Sequence, residues 1–175
     1  MTTAITIQAA IKAAGKTAIK RKTASKPLRR LIDAGVFNAK PRTLDYGCGH
    51  GADVRHLRKA GVDAHGFDPV HMPHMPPKAI AGFDVVTMTY VLNVLPTDGM
   101  RRRAIEGALV ALKPGGHMLI TVRNDVENGG YSSRGTFQGR ADVGALVATF
   151  GLPAFPVTEN ANFSTFLIVK GEANA

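Results

Sequence analysis

Leu44-Asp45-Tyr46-Gly47-Cys48-Gly49-His50-Gly51 is the stretch on which the reading of this chain turns. It follows an apolar run that reads as a short strand, Thr43–Tyr46, and precedes a helical stretch, Ala52–Ala60, closed by Gly61. Glycines at 47, 49 and 51 let the backbone turn sharply and approach a ligand with no Cβ in the way. Asp45, two residues before the first glycine, makes the loop more specific. A pyrophosphate on this loop would be repelled by a carboxylate at the strand end. Asp45 instead suits a ligand that carries a cationic ammonium group.

Outward from the loop, strand and helix signals alternate. Ala64–Phe67 reads as a second strand, Asp84–Thr89 as a third, and Met100–Leu112 as a helix ending at Lys113-Pro114-Gly115-Gly116. His117–Val122 is a fourth strand, Gly144–Phe150 belongs to a further helix, and Phe166–Lys170 is a final strand. Such alternation predicts an α/β fold whose parallel sheet is covered on both faces. Asp68, in Gly66-Phe67-Asp68-Pro69, ends the second strand at the place where an acid accepts ribose hydroxyls. S-adenosylmethionine combines an ammonium group with a ribose, so it is the expected cofactor.

Together with Gly66-Phe67-Asp68-Pro69, Phe83-Asp84-Val85-Val86 and Leu112-Lys113-Pro114-Gly115-Gly116, the glycine loop resembles the class I S-adenosylmethionine-dependent methyltransferases. The resemblance covers roughly residues 43–123. It implies a Rossmann-like class I methyltransferase fold, mostly parallel with an antiparallel last strand. It also implies that Asp45, Gly47, Gly49 and Gly51 line the methionine end and that Asp68 holds the ribose; Tyr46, Cys48 and Pro69 beside them are further candidate cofactor contacts. A closer resemblance, to the DNA phosphorothioation-associated methyltransferases, rests on Ala18–Pro27, the glycine loop, Tyr90-Val91-Leu92-Asn93-Val94 and Arg134-Gly135-Thr136-Phe137-Gln138. Those proteins are generally longer, so the chain corresponds to their catalytic core, and nucleic acid is the implied partner.

One departure from the family pattern is visible. The stretch between Asp68 and Asp84 is too short for the usual helix, strand and helix, and three prolines interrupt it. The third strand and its adenine-side acid are expected to be reduced to a loop, with Val70 or Met72 against the adenine.

The 175 residues suit one core rather than two. A single cysteine, Cys48, excludes a disulfide framework within the chain and a cysteine-based zinc cluster, so a reducing cytoplasm is the simplest setting. No apolar run is long enough to cross a bilayer, and the first residues lack the apolar block of a secretion signal. The net charge of +9 is concentrated. Residues 1–42 hold ten basic side chains, Lys20, Arg21 and Lys22 among them, against the single acid Asp33; the remainder is neutral. Residues 1–42 therefore read as a basic helical arm and 43–175 as the methyltransferase domain. In the arm, Ile7, Ile11, Ala14 and Ala18 form an apolar stripe beside the cationic Lys12, Lys16 and Lys20. A second helix is capped by Ser25, with Pro27 in its first turn and Gly35 after its end.

The methyl acceptor is less legible. Cytosine C5 methylation needs a thiolate nucleophile, and Cys48 is inside the cofactor loop. After the third clear strand, Tyr90 and Asn93 are the candidate catalytic residues, one to stack on a ring and one to accept from an amine. Residues 124–141 read as a polar functional loop in which Tyr131, Arg134 and Gln138 are candidate substrate contacts. His71 and His74 lack a third ligand nearby, so no metal is expected. The first expectation is a methyltransferase acting on nucleic acid docked by the arm. Three alternatives stay open: a small-molecule enzyme whose N-terminal helices form a lid, a non-catalytic binding module, and a nicotinamide-binding protein.

Overall fold

The structure, a computed structural model, describes residues 6–74 and 81–172. Its main sheet has six strands: β1 (Thr43–Tyr46), β2 (Ala64–Phe67), β3 (Phe83–Thr89), β4 (Leu112–Arg123), β7 (Phe155–Glu159) and β8 (Phe163–Val169). Their spatial order is β2-β1-β3-β4-β8-β7. The first four are parallel, and β8 runs antiparallel to both β4 and β7. This is the expected Rossmann-like class I methyltransferase fold. Among the described residues β2 is one edge of the sheet, as the abbreviation around the third strand predicts; residues 75–80 of that stretch lie outside the described part.

Period-two burial divides the core between the two faces of the sheet. Val86 and Met88 of β3, with Met118, Ile120 and Val122 of β4, pack against Ile105 and Ala108 of α4 (Asp98–Ala111) and Val147 of α5 (Val143–Ala148). Val85 and Leu119 face the other way, onto Val54 and Leu57 of α3 (Ala52–Lys59) and Leu28 and Leu31 of α2 (Lys26–Asp33). Both layers are needed because β3 is apolar on both sides. The second helix of the basic arm thus contributes to one of the two cores, with Ser25 as its N-cap and Pro27 in its first turn.

Three local readings change. α1 spans Ile7–Gly15 and stops there, because the next amides turn back onto carbonyls three residues earlier and the Thr17 hydroxyl donates to Ala14 O. The expected functional loop at 124–141 contains a small hairpin, β5 (Gly130–Tyr131) with β6 (Phe137–Gln138). Finally, β7 had no clear strand signal, since Pro156 interrupts it. An edge strand tolerates that proline, and the register with β8 shifts between Pro156 and Thr158.

Candidate active site

The carboxyl ends of β1 to β4 open into one cavity of about 680 Å³, at the place where open α/β sheets bind ligands. Asp45 and Tyr46 arrive from β1, Phe67 and Asp68 from β2, Thr89 and Tyr90 from β3, and Arg123 from β4. Of the residues expected at the cofactor, Asp45, Tyr46, Gly47, Cys48, Gly49, Asp68 and Pro69 all line it. Gly51 does not: it sits one step back at φ 70° and caps α3.

The loop conformation explains its composition. Gly47 has φ 82° and donates its N–H to Phe67 O at 2.7 Å, and a Cβ there would run into the Val91 side chain. Gly49 donates to Asp68 Oδ2 at 3.0 Å, while Asp68 Oδ1 accepts from the amides of Val70 and His71 at 2.9 Å. Asp68 therefore ties the loop to the end of β2.

Three buried carboxylates surround the loop: Asp45, Asp53 and Asp68. Asp45 is only 4% exposed and accepts one hydrogen bond, from Thr87 Oγ1 at 3.0 Å. Burial first, then the charge of Asp53, raises its pKa to about 7. Such a carboxylate is poised to pair with an incoming cation. A ligand with a cationic end and ribose hydroxyls matches this donor and acceptor set, so the residues present fit S-adenosylmethionine. Cys48 is in the same field. Burial and the charges of Asp45 and Asp68 push its thiol well above the usual range, so it remains protonated and is no nucleophile.

The other side of the cavity receives the N-terminal stripe. Ile7, Ile11, Ala14 and Ala18 all line it, so α1 and the turn after it form a wall over the glycine loop. This wall is fastened at three points. A Cβ on Gly49 would lie 3.0 Å from that of Ala18, His71 Nε2 is 2.8 Å from Gly15 O, and Asp53 binds Ser25. Asp53 carried no sequence signal, since nothing local connects it to a serine in another element. His71 serves this wall and packs against His50 with the rings tilted by 43°, at 4.1 Å between ring centroids. Val70 and Pro69 line the cavity, whereas Met72 does not: its Sδ packs 3.4 Å from Cys48 Sγ.

The candidate catalytic pair separates. Tyr90 lines the cavity with its ring edge-on to Phe163, held in a left-handed backbone conformation at φ 63°. That conformation is costly for a bulky residue and here directs the ring. Asn93 is a correction. It is fully buried and does not line the cavity; its Nδ2 donates to Gly139 O and its Oδ1 accepts from Arg123 N, both at 2.8 Å, so the amide is turned away from any acceptor. Its role is to hold β6 and the end of β4 together.

The expected substrate contacts also divide. Arg21 and Gln138 line the cavity, whereas Lys20 and Lys22 are exposed on the arm, and Tyr131 and Arg134 are exposed on the hairpin. Gln138 Oε1 is buried and has no hydrogen-bond partner among the described residues. Arg101, part of an unremarkable Arg-Arg-Arg run, is buried and donates to the carbonyls of Leu92 and Leu95, bracing the turn behind Tyr90.

A family model described as a methyltransferase domain matches residues 18–142. No curated protein matches the chain. Similar solved structures include a Burkholderia thailandensis 1,6-didemethyltoxoflavin-N1-methyltransferase with bound 1,6-didemethyltoxoflavin and S-adenosylhomocysteine. It is 16% identical, with 94% of this chain and 89% of that one covered and a TM-score of 0.67. A Mesorhizobium loti S-adenosylmethionine-dependent methyltransferase is 14% identical over 82% of this chain and all (100%) of its own, with TM-score 0.55. Human N-acetylserotonin methyltransferase in complex with S-adenosylmethionine is 15% identical over 83% of this chain and 52% of its own, with TM-score 0.59. At these identities the likeness carries the fold.

Proposed function

The chain belongs to the methyltransferase-domain family, and from that premise we propose that it moves a methyl group from S-adenosylmethionine to a small-molecule acceptor held beneath its N-terminal helix. One observation carries the choice of acceptor: the apolar stripe Ile7, Ile11, Ala14 and Ala18 lines the same cavity as Asp45 and the glycine loop. A volume of about 680 Å³ suits a nucleoside-sized donor plus one small acceptor. The Burkholderia structure, which holds 1,6-didemethyltoxoflavin, supports an acceptor of that size.

When bound, S-adenosylmethionine supplies an electrophilic methyl group on a sulfonium. The protein's share is positioning and the exclusion of water. Asp45 pairs with the ammonium group, Asp68 accepts from the ribose hydroxyls, and Pro69 and Val70 cover the adenine side. Tyr90 and Phe163 give the acceptor an aromatic wall, and Gln138 Oε1 accepts from a donor on it. The Tyr90 phenol, its pKa raised by burial, stays neutral.

Transfer of a labelled methyl group to metabolite, DNA and RNA pools tests this reading. Label should enter the metabolite fraction, and removal of residues 1–22 should abolish that transfer. Label confined to nucleic acid would overturn it.

A second reading keeps nucleic acid as acceptor, docked by the arm, and the resemblance to DNA phosphorothioation-associated proteins belongs with it. Lys12, Lys16, Lys20, Lys22, Arg29 and Arg30 are all exposed, which favours it. Binding to DNA should then weaken steeply with salt through counterion release. Affinity that ignores salt excludes this reading.

A further inference from the structure

We propose that the mouth of the cavity docks on an anionic lipid bilayer, which sets its opening at the lipid face. The proposal goes beyond methyl transfer and stands on the exposed residues of the rim, not on the donor side.

Most of the cavity lining is buried or half-buried, so the residues that line it and are also exposed mark its opening. Four of these are apolar: Ile7 and Ile19 from the arm, and Pro69 and Val70 from the turn after β2. Ile19 is 64% exposed, Ile7 43% and Val70 37%. The arm and the turn meet, because Val70 packs against Gly15, where a Cβ would lie 2.7 Å from Val70 Cγ2. Apolar side chains left in water cost free energy, and several of them around one opening point to a surface that meets something apolar.

The charged residues of the rim fix the sign of that partner. Lys26 and Arg103 line the cavity and are exposed. Asp125, the exposed acid of the lining, is paired with Arg123 by two hydrogen bonds at 2.8 Å. Lys20 and Lys22 follow Ile19 in the chain and are exposed as well. Apolar tips set among cations suit the boundary of a bilayer: side chains such as Ile19 enter the acyl region while ammonium and guanidinium groups meet anionic head groups.

Nucleic acid accounts for the cations but leaves Ile7, Ile19 and Val70 in water, since phosphate contacts are polar. A second copy of the chain would set one cationic rim against another. Among the described residues no helix is long and apolar enough to cross a membrane, and the nine residues of α1 fall far short of the ~20 that a span needs. The contact is therefore with the surface of the bilayer.

Co-sedimentation of the full chain with vesicles of phosphatidylcholine alone, and of phosphatidylcholine mixed with phosphatidylglycerol, tests this. The protein should sediment with the mixed vesicles and stay in solution with the neutral ones, and added salt should release it. Ile19→Ser should weaken binding to the mixed vesicles by about fivefold or more, as expected when part of an apolar side chain is no longer buried. Lys20→Ser and Lys22→Ser should each weaken it by roughly fivefold, as for one basic group near an anionic surface. All three positions are exposed, so the fold is kept, and an unchanged melting temperature checks that. Absence of the protein from the mixed-vesicle pellet overturns the proposal, whether or not the protein binds duplex DNA. Equal binding by the wild type and Ile19→Ser also overturns it, because only a general attraction between a basic protein and an anionic surface would then be left. Equal sedimentation with both kinds of vesicle removes the role of charge and overturns it too. Calorimetry with S-adenosylhomocysteine reads the donor side separately, and failure there would overturn the methyl-transfer reading while the docking result stands.

Discussion

Asp53 holds Ser25 by two hydrogen bonds, accepting the backbone N–H at 2.7 Å and the hydroxyl at 2.6 Å. One residue at the start of α3 thus fixes the cap of α2, and ties the N-terminal arm to the helix that the glycine loop itself opens. Asp53→Ala leaves the Ser25 amide buried without a partner, at a cost of about 1–3 kcal/mol. Urea unfolding should register that loss, and trypsin should cut the basic arm faster than in the wild type. Unchanged cleavage would show that the arm is held by other contacts.

Asp45 gives a pH dependence whose sign follows from its environment. Its pKa is about 7 in the folded protein against 3.8 for the ordinary side chain. Between those values the folded state holds a proton that the unfolded state has released, so this group lowers stability as pH rises from about 4 to 7. At about 1.4 kcal/mol per pH unit the whole span amounts to at most ~4 kcal/mol. Asp45→Asn should therefore raise the melting temperature at neutral pH while removing S-adenosylhomocysteine binding. In the wild type that affinity should fall as pH drops below 7, because a protonated Asp45 no longer attracts the ammonium group. Calorimetry from pH 5.5 to 8 checks both signs.

The charge of Asp53 is the second cause of the raised Asp45 pKa. Asp53→Asn removes that charge and keeps a hydrogen-bond acceptor for Ser25. The midpoint of the pH–affinity curve should shift to lower pH. A midpoint that stays in place would show that burial alone sets the Asp45 pKa.

Asn93 separates structure from catalysis. Truncation to alanine removes the hydrogen bonds to Gly139 and Arg123 and leaves those backbone groups unpaired, for a loss of roughly 2–4 kcal/mol. S-adenosylhomocysteine affinity should stay within about threefold, since none of the bonds made by the amide reaches the donor side. Thermal unfolding and calorimetry on the same variant read the two effects.

The thiol of Cys48 should resist a disulfide reagent at pH 8 in the folded protein and react at once in denaturant. Burial and two neighbouring carboxylates oppose the thiolate that such chemistry needs. Rapid reaction in the native state would refute this account of the loop.

The boundaries of β1 and β2 were readable from residue order alone, because a short apolar strand before a glycine turn has few alternatives. So were the cap of α2 at Ser25 and the position of Asp45 beside the glycine loop. β7 was not, since Pro156 contradicts local propensity and only its edge position permits it. Arg101 stands in a run of three arginines with no local signal to single it out, and its burial follows from the turn at Leu92–Leu95, which presents two carbonyls to it.

The local pattern of strand, glycine turn and acid determined the fold class and the donor side, because a loop's conformation and charge depend on consecutive residues. Tertiary structure decided the opposite wall of the cavity, because it is assembled from segments far apart in the chain. The stripe Ile7, Ile11, Ala14 and Ala18 reads equally well as a helix packed on any surface, and only its placement over Asp45 makes it a cavity wall. Asn93 changed roles for the same reason: which partners its polar groups meet is set by long-range packing, and no spacing along the chain encodes it.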